Sequence, residues 1–268
     1  MNNRVVRTTG TVCAGAILVF ISFPLIAFLW HATASPGLIA NVSTAVTRRG
    51  MLRGLGVSLL LVIGGSSLSV SITLLAAFAA SNLSARSWTL FSVAVALPLF
   101  VRGGIIPFYM VVRAVGLTGS PAAMILPVLG SPAMVLLLMR VLRRHEYREI
   151  IDAGRIDGAG ELRILTSILS RAAPWMVALP LVTSALEFWN SWIPAFLFIN
   201  DSRMYPFQIV VREMAAFSQS ALNLGVGRPS ASSSVLAAAG LLALIPSALV
   251  AGVIAFRTET ILGRRSTR

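Results

Sequence analysis

Six stretches of the chain run for roughly 20 residues or more with scarcely a charge: 12–31, 55–80, 88–110, 121–142, 174–199 and 233–256. About 20 apolar residues is what an α-helix needs to cross the hydrocarbon of a bilayer. In lipid every backbone N–H and C=O must find a partner within the protein, so a span is either a helix or a strand of a closed barrel. Short segments that alternate apolar and polar residues are missing, which excludes the barrel. The sequence therefore predicts an all-α integral membrane protein with six transmembrane helices in a single domain over 1–268. Composition agrees: 56% of the residues are hydrophobic and 12% charged, against about 25% charged in soluble domains.

The basic side chains are all arginine, 22 of them with no lysine. A Walker A loop needs a lysine on the phosphates, so this chain has none. A lysine Schiff base is excluded as well. If nucleotide hydrolysis drives the protein, another subunit must supply it. The net charge of +13 does not point to nucleic acid, because the arginines flank apolar runs instead of forming one basic face.

With the N-terminus inside, Arg4, Arg7, Arg86, the arginines between Arg140 and Arg171, and those from Arg257 onward are cytoplasmic, fourteen against eight outside. That bias follows the positive-inside rule and puts both termini in the cytoplasm. Arg48, Arg49 and Arg53, ahead of the second span, run against it. The first span also has the layout of a signal peptide, with Arg4 and Arg7 before it and Ala32-Thr33-Ala34 after it. Its apolar run is longer than the usual ~7–15-residue signal core, so it is expected to stay as a membrane helix.

Catalytic chemistry is hard to place in this chain. Cys13 sits alone in an apolar run and reads as a small buried hydrophobe. His31 and His145 lack metal-ligand spacing, and no metal or catalytic site is expected. Glu187 is the one acid inside an expected span, which makes it a functional candidate by default. A self-contained secondary carrier would need several such charges or interrupted repeats, and a membrane enzyme would need paired acids, a nucleophile with its base, or metal ligands. The cluster Gly64-Gly65-Ser66-Ser67 fits close helix packing.

The segment 146–173 is the longest loop on the expected cytoplasmic side, and it holds five of the nine acids. Tyr147, Ile150, Ile151 and Gly154 recur at helical spacing, and Ala153 and Gly154 are small enough for another backbone to approach. Gly158 can take positive φ and break the helix. Leu162, Leu165, Ile168 and Leu169 mark a second amphipathic helix. The expected form is helix, glycine turn, helix at the inner membrane face. The loop 200–232 is expected outside and ends in a Gly/Pro/Ser-rich stretch.

Within that inner loop, Asp152-Ala153-Gly154-Arg155-Ile156-Asp157-Gly158-Ala159 resembles the "EAA" loop of ABC-importer permeases of the carbohydrate class, where Glu-Ala-Ala-Arg-Ile-Asp-Gly-Ala is typical. Asp152 stands where the family has Glu, and Gly154 stands at its second Ala. Leu169-Ser170 stands where the family has Leu-Pro. Three further runs are similar to those of the lipo-oligosaccharide, aldouronate and complex-polysaccharide permeases. They are Gly103 to Tyr109, Phe188-Trp189-Asn190-Ser191-Trp192, and Tyr205 to Glu213, so the resemblance covers roughly 100–215.

The resemblance implies a type I ABC-importer permease of the bacterial inner (cytoplasmic) membrane. Its partners would be a second homologous permease chain, two ATPase subunits, an extracytoplasmic solute-binding protein and membrane lipids. Its substrate would be a sugar, and an oligosaccharide fits best. ATP and Mg would be held by the ATPases and no cofactor by this chain. The helix 146–160 would couple to the ATPase through Glu149, Asp152, Ala153, Gly154, Arg155, Asp157 and Gly158. Glu187, Trp189, Asn190 and Trp192 would line the substrate path. Tyr205, Arg212 and Glu213 would meet the binding protein.

Overall fold

A computed structural model describes residues 38–47, 50–101, 103–223, 239–244 and 246. The span expected at 12–31, most of that at 233–256 and both termini lie outside the described residues. No strand occurs among the described residues. They fall into two compact units, one from residues 1–53 with 207–268 and the other from 54–206.

The elements in chain order are α1 (Leu38–Thr47), α2 (Met51–Ser81), α3 (Ala85–Phe100), α4 (Ile105–Ala114), α5 (Ala122–Val128), α6 (Pro132–Val141), α7 (His145–Ile156), α8 (Glu161–Ala172), α9 (Trp175–Trp189), α10 (Trp192–Phe198) and α11 (Phe207–Asn223). Among the described residues α2 is the one unbroken helix long and apolar enough to cross a membrane. Its 31 residues reach about 46 Å at 1.5 Å per residue. One wider turn at Leu61–Gly65 interrupts its regular winding.

The other expected spans are broken. The run at 88–110 is divided between α3 and α4, with Gly104 at φ +82° in the break. The run at 121–142 is divided between α5 and α6, bent by 40°. The run at 174–199 is divided between α9 and α10 at Asn190–Ser191. The pairs α3–α4, α5–α6 and α8–α9 each pass for a span by joint length and composition, so the described residues hold one span or up to four. Glycine and proline mark the first two breaks. Gly104 and Gly130 hold φ of +82° and +75°, a region costly for other residues, and Pro132 opens α6 where its missing N–H is not needed.

In the unit from 54–206, α2 is the hub, and small residues let its neighbours come close. Gly65 lies under the Phe188 ring of α9, so that a Cβ there would fall 2.8 Å from the ring carbons. Gly64 faces open space. Four residues on, the buried Ser184 hydroxyl donates to Ser69 Oγ at 3.1 Å. The same Ser69 Oγ accepts from the Gly130 N–H at 3.1 Å, and Thr73 Oγ1 accepts from the Ser131 N–H at 3.2 Å. These bonds fasten the α5–α6 turn to α2 and satisfy backbone donors that have no water available in lipid.

The main core of this unit gathers Ala77 and Phe78 from α2, Leu138 and Met139 from α6, Ile151 from α7, Ile164 and Leu169 from α8 and Met176 from α9. A second, smaller cluster joins Val112, Ala123 and Phe198. There the Tyr109 and Phe198 rings stack at 5.9 Å and Phe108 meets Phe198 edge-on at 5.5 Å. Outward-facing positions are also apolar: Leu60, Ile106 and Met110 are 74%, 74% and 63% exposed. So much exposed apolar surface suits lipid or a partner chain. In the other unit Ala45, Met51, Phe207, Ile209 and Ala239 are buried, and Gln208 Nε2 donates to the Ala243 carbonyl at 3.3 Å.

Candidate functional site: the α7–α8 hairpin

The inner loop folds as helix, glycine turn, helix. Helix α7 begins with Glu146 in its first turn and ends with Arg155 in its last, each charge suited to its end of the helix dipole. Its stop is a Schellman arrangement. The Ala159 N–H reaches back to the Gly154 carbonyl at 2.9 Å, and the Gly158 N–H to the Arg155 carbonyl at 3.0 Å. This places Gly158 at φ +76°. Nothing lies within 4 Å of where its Cβ would be, so glycine is required by the backbone and not by crowding.

Gly154 has the opposite reason. It is buried, and a Cβ there would sit 3.1 Å from Ile168 Cδ1 and 3.2 Å from Ile164 Cγ1. The glycine lets α7 lie flat on α8. The Gly-for-Ala departure loosens the helix by about 1 kcal/mol, and it removes a Cβ that would press on Ile164 and Ile168. Ile151 and Ile164, both 0% exposed, then carry the hairpin into the main core. At Ala173–Pro174 the chain turns by 92° from α8 into α9. The residue before proline is disfavoured in helical conformation, and Ala173 leaves it, at φ −139° and ψ 70°.

Charge ties the two arms together. Arg155 Nε donates to Glu161 Oε1 at 2.8 Å and its Nη2 to Glu161 Oε2 at 3.1 Å, a two-point grip across the turn. Nη1 also reaches Asp152 Oδ1 at 3.4 Å. The hydrogen bond from Arg155 holds the Glu161 carboxyl below its ordinary value, and Glu161 in turn raises the guanidinium.

The hairpin is also bound to the end of α2. Arg143 Nε and Arg148 Nη2 both donate to the Ser81 carbonyl, and Arg143 Nη2 donates to that of Leu83. Asn82 Oδ1 accepts from Arg148 Nη1 and from Arg155 Nη2, each at 3.2 Å. Arg143 lies 5.1 Å over the Trp88 ring of α3. Cations belong at the C-terminal carbonyls of a helix, which have no partner inside it.

The residues expected to couple to an ATPase thus have two fates. Gly154, Arg155 and Gly158 shape and lock the hairpin from within. Ala153, Asp152, Asp157 and Glu149 stay exposed on its outer side, where Glu149 meets His145 at 3.1 Å. Beside the tip two large apolar side chains also face outward, Ile156 at 86% and Leu162 at 66% exposed. Asn82 and Arg143 were not legible as part of this site: Asn82 follows an apolar run, and only the fold brings it to Arg155, 73 positions along.

The other candidates separate. Glu187 is exposed on α9, Trp189 is buried within this chain, and Trp192 is half-buried. Asn190 ends α9, and its Nδ2 donates back to the Leu186 carbonyl at 2.9 Å. The Trp-Asn segment therefore marks the break between α9 and α10. Tyr205 is half-buried after the Asp201-capped turn Ser202–Met204. Arg212 and Glu213 are exposed on α11, in the other unit.

No family model matches the chain. Among curated proteins it is 28% identical over 167 residues to Protein LplC of Bacillus subtilis, covering 62% of this chain and 56% of that one. It is 27% identical over 204 residues to the polygalacturonan/rhamnogalacturonan transport system permease protein YtcP of the same organism, covering 74% and 70%. Against the sn-glycerol-3-phosphate transport system permease protein UgpE of Rhizobium meliloti it is 32% identical over 131 residues, covering 49% and 45%. The chain therefore spans about half the length of two of these relatives and 70% of the third. Among solved structures it superposes on a chain of a bacterial ABC transporter involved in the import of the acidic polysaccharide alginate. The TM-score is 0.77 at 17% identity, over 94% of this chain and 96% of that one. The chain thus has the fold of that transporter chain and is similar in sequence to proteins that include two transport system permeases.

Proposed function

We propose that the chain is the transmembrane permease subunit of a heteromeric, ATP-driven importer of sugars, oligosaccharides fitting best. The observation that carries this is the α7–α8 hairpin, a rigid projection with apolar Ile156 and Leu162 at its tip and exposed acids around them. An exposed apolar pair inside a charged rim is the form of a docking knob, buried when a partner covers it. ATPase subunits holding ATP and Mg would take it in a cleft from the cytoplasmic side. A second permease chain would cover apolar faces left open here, and an extracytoplasmic binding protein would deliver substrate. This chain would sit in the bacterial cytoplasmic membrane as a multi-pass protein without a cofactor of its own.

Transport then follows as a population shift. Nucleotide binding favours one arrangement of the ATPases, and differential contact with the hairpin biases the inward- and outward-facing states. The test is affinity purification of the tagged chain from its native membrane with mass spectrometry. Co-purification of an ATPase and a second permease, lost on Ile156→Asp with Leu162→Asp, is expected. Recovery of this chain alone, in detergent that preserves a known importer complex, would overturn the proposal in favour of a self-contained carrier.

A further inference from the structure

We infer that Asn82 is the positioning residue that locks the α7–α8 hairpin to the end of α2, so that the hairpin and α2 move as one lever. The inference rests on the permease reading only for what pushes the lever. Its geometry stands on this chain alone.

Three of the four hydrogen-bonding positions of the Asn82 amide are filled. Its Nδ2 donates to the Phe78 carbonyl at 3.2 Å, which anchors the side chain to α2. Its Oδ1 takes the two guanidinium groups, Arg148 from the first turn of α7 and Arg155 from the last. The two donors leave α7 about two turns apart and converge on one oxygen, which restrains how α7 lies against the end of α2. Arg155 passes the restraint on to α8 through its two bonds to Glu161. Arg143 and Arg148 hold the neighbouring carbonyls of Ser81 and Leu83. An oxygen shared by two cations is worth more than a neutral bond, because each contact is charge-assisted. Apolar packing of Ile151 and Ile164 resists separation of hairpin and core but tolerates sliding. The directional bonds at Asn82 resist the sliding.

The experiment is a distance measurement by double electron–electron resonance on the full chain in nanodiscs. The native cysteine, Cys13, is replaced by serine, and spin labels are placed at the exposed Leu75 of α2 and Thr166 of α8. A narrow distance distribution is expected, unchanged when the assembled complex is trapped with Mg-ATP and vanadate. Asn82→Ala should widen it at least about twofold, as a locally opened contact would. Asn82→Asp gives up the bond to the Phe78 carbonyl but keeps an acceptor, now charged, for both arginines, and should bring the width back most of the way. Should Asn82→Ala fail to insert, Asn82→Ser removes the oxygen that both arginines share, leaves the Arg148 bond to the Ser81 carbonyl in place, and should widen the distribution instead. Equal widths in native and variant chains, or a native distance that changes on trapping, would overturn the inference. The nucleotide-free widths judge the lock whether or not an ATPase co-purifies, so failure of the proposed function and failure of the lock are separately visible.

Discussion

Arg155 and Glu161 face each other across the Gly158 turn, Nε 2.8 Å from Oε1, and close the hairpin from outside as Gly154 closes it from within. Both partners are partly open to solvent, at 34% and 56% side-chain exposure, so the pair adds below about 1 kcal/mol. Its role is to fix the angle between the arms.

The first prediction concerns pH. Glu161 is held below its ordinary value in the folded chain. A lowered carboxylate contributes stability above the unfolded-state value, and that contribution disappears as pH falls through the folded one. Protection of the amides of Gly158 and Ala159 against hydrogen exchange should therefore be flat from neutral pH down to the ordinary glutamate range and drop below it. In Glu161→Gln the drop should vanish. A drop of the same size in that variant would remove Glu161 as its cause.

At Gly158 the strain is in the backbone, at φ +76° with open space around it. Gly158→Val should cost about 1–2 kcal/mol, whereas Gly158→Asn should cost clearly less, since asparagine tolerates this region. Melting temperatures of the detergent-solubilised variants report the order. Equal losses would point to a contact that the open surroundings do not explain.

Gly154 should behave differently, because its limit is steric. Gly154→Val forces the new branches against Ile164 and Ile168 and should cost about 1–3 kcal/mol by overpacking. Ile168→Val removes the Cδ1 that a Cβ at 154 would meet at 3.1 Å. In the Gly154→Ala background it should raise the melting temperature, and in the native background lower it. Additive effects would show that the two positions do not share this space.

In the apolar helices, Gly65 and Phe188 make a close crossing, with 2.8 Å between the ring and a would-be Cβ. Gly65→Leu should separate α2 from α9 and cost at least about 1–3 kcal/mol. Phe188→Leu should recover part of the loss. Fluorescence-detected gel filtration after heating measures both, and a Gly65→Leu chain as heat-stable as the native one would contradict the close packing.

Much of this protein follows from local sequence. The all-helical form is a consequence of the long apolar runs, since lipid offers no partners to an open backbone. The hairpin is equally local: its amphipathic period, Gly158 and the flanking acids lie within one short segment, and its stop uses bonds no more than five residues apart. Tertiary structure decided what depends on distant partners. Whether an apolar run stays one helix or breaks, as at Gly104 and Asn190, depends on neighbours that accept the freed backbone groups, and hydropathy does not record those. Gly154 reads as a weakened helix until Ile164 and Ile168 are seen against it. That Arg155 grips Glu161 and Asn82 within its own chain is not legible from its position in the sequence. That Trp189 packs inside the chain and that the Asn190 amide holds the end of its own helix is likewise visible only in the fold. Composition and period determine which segments leave water, but the partner of each polar atom is set by packing across the chain, and at Asn82 that packing joins residues 66 and 73 positions apart.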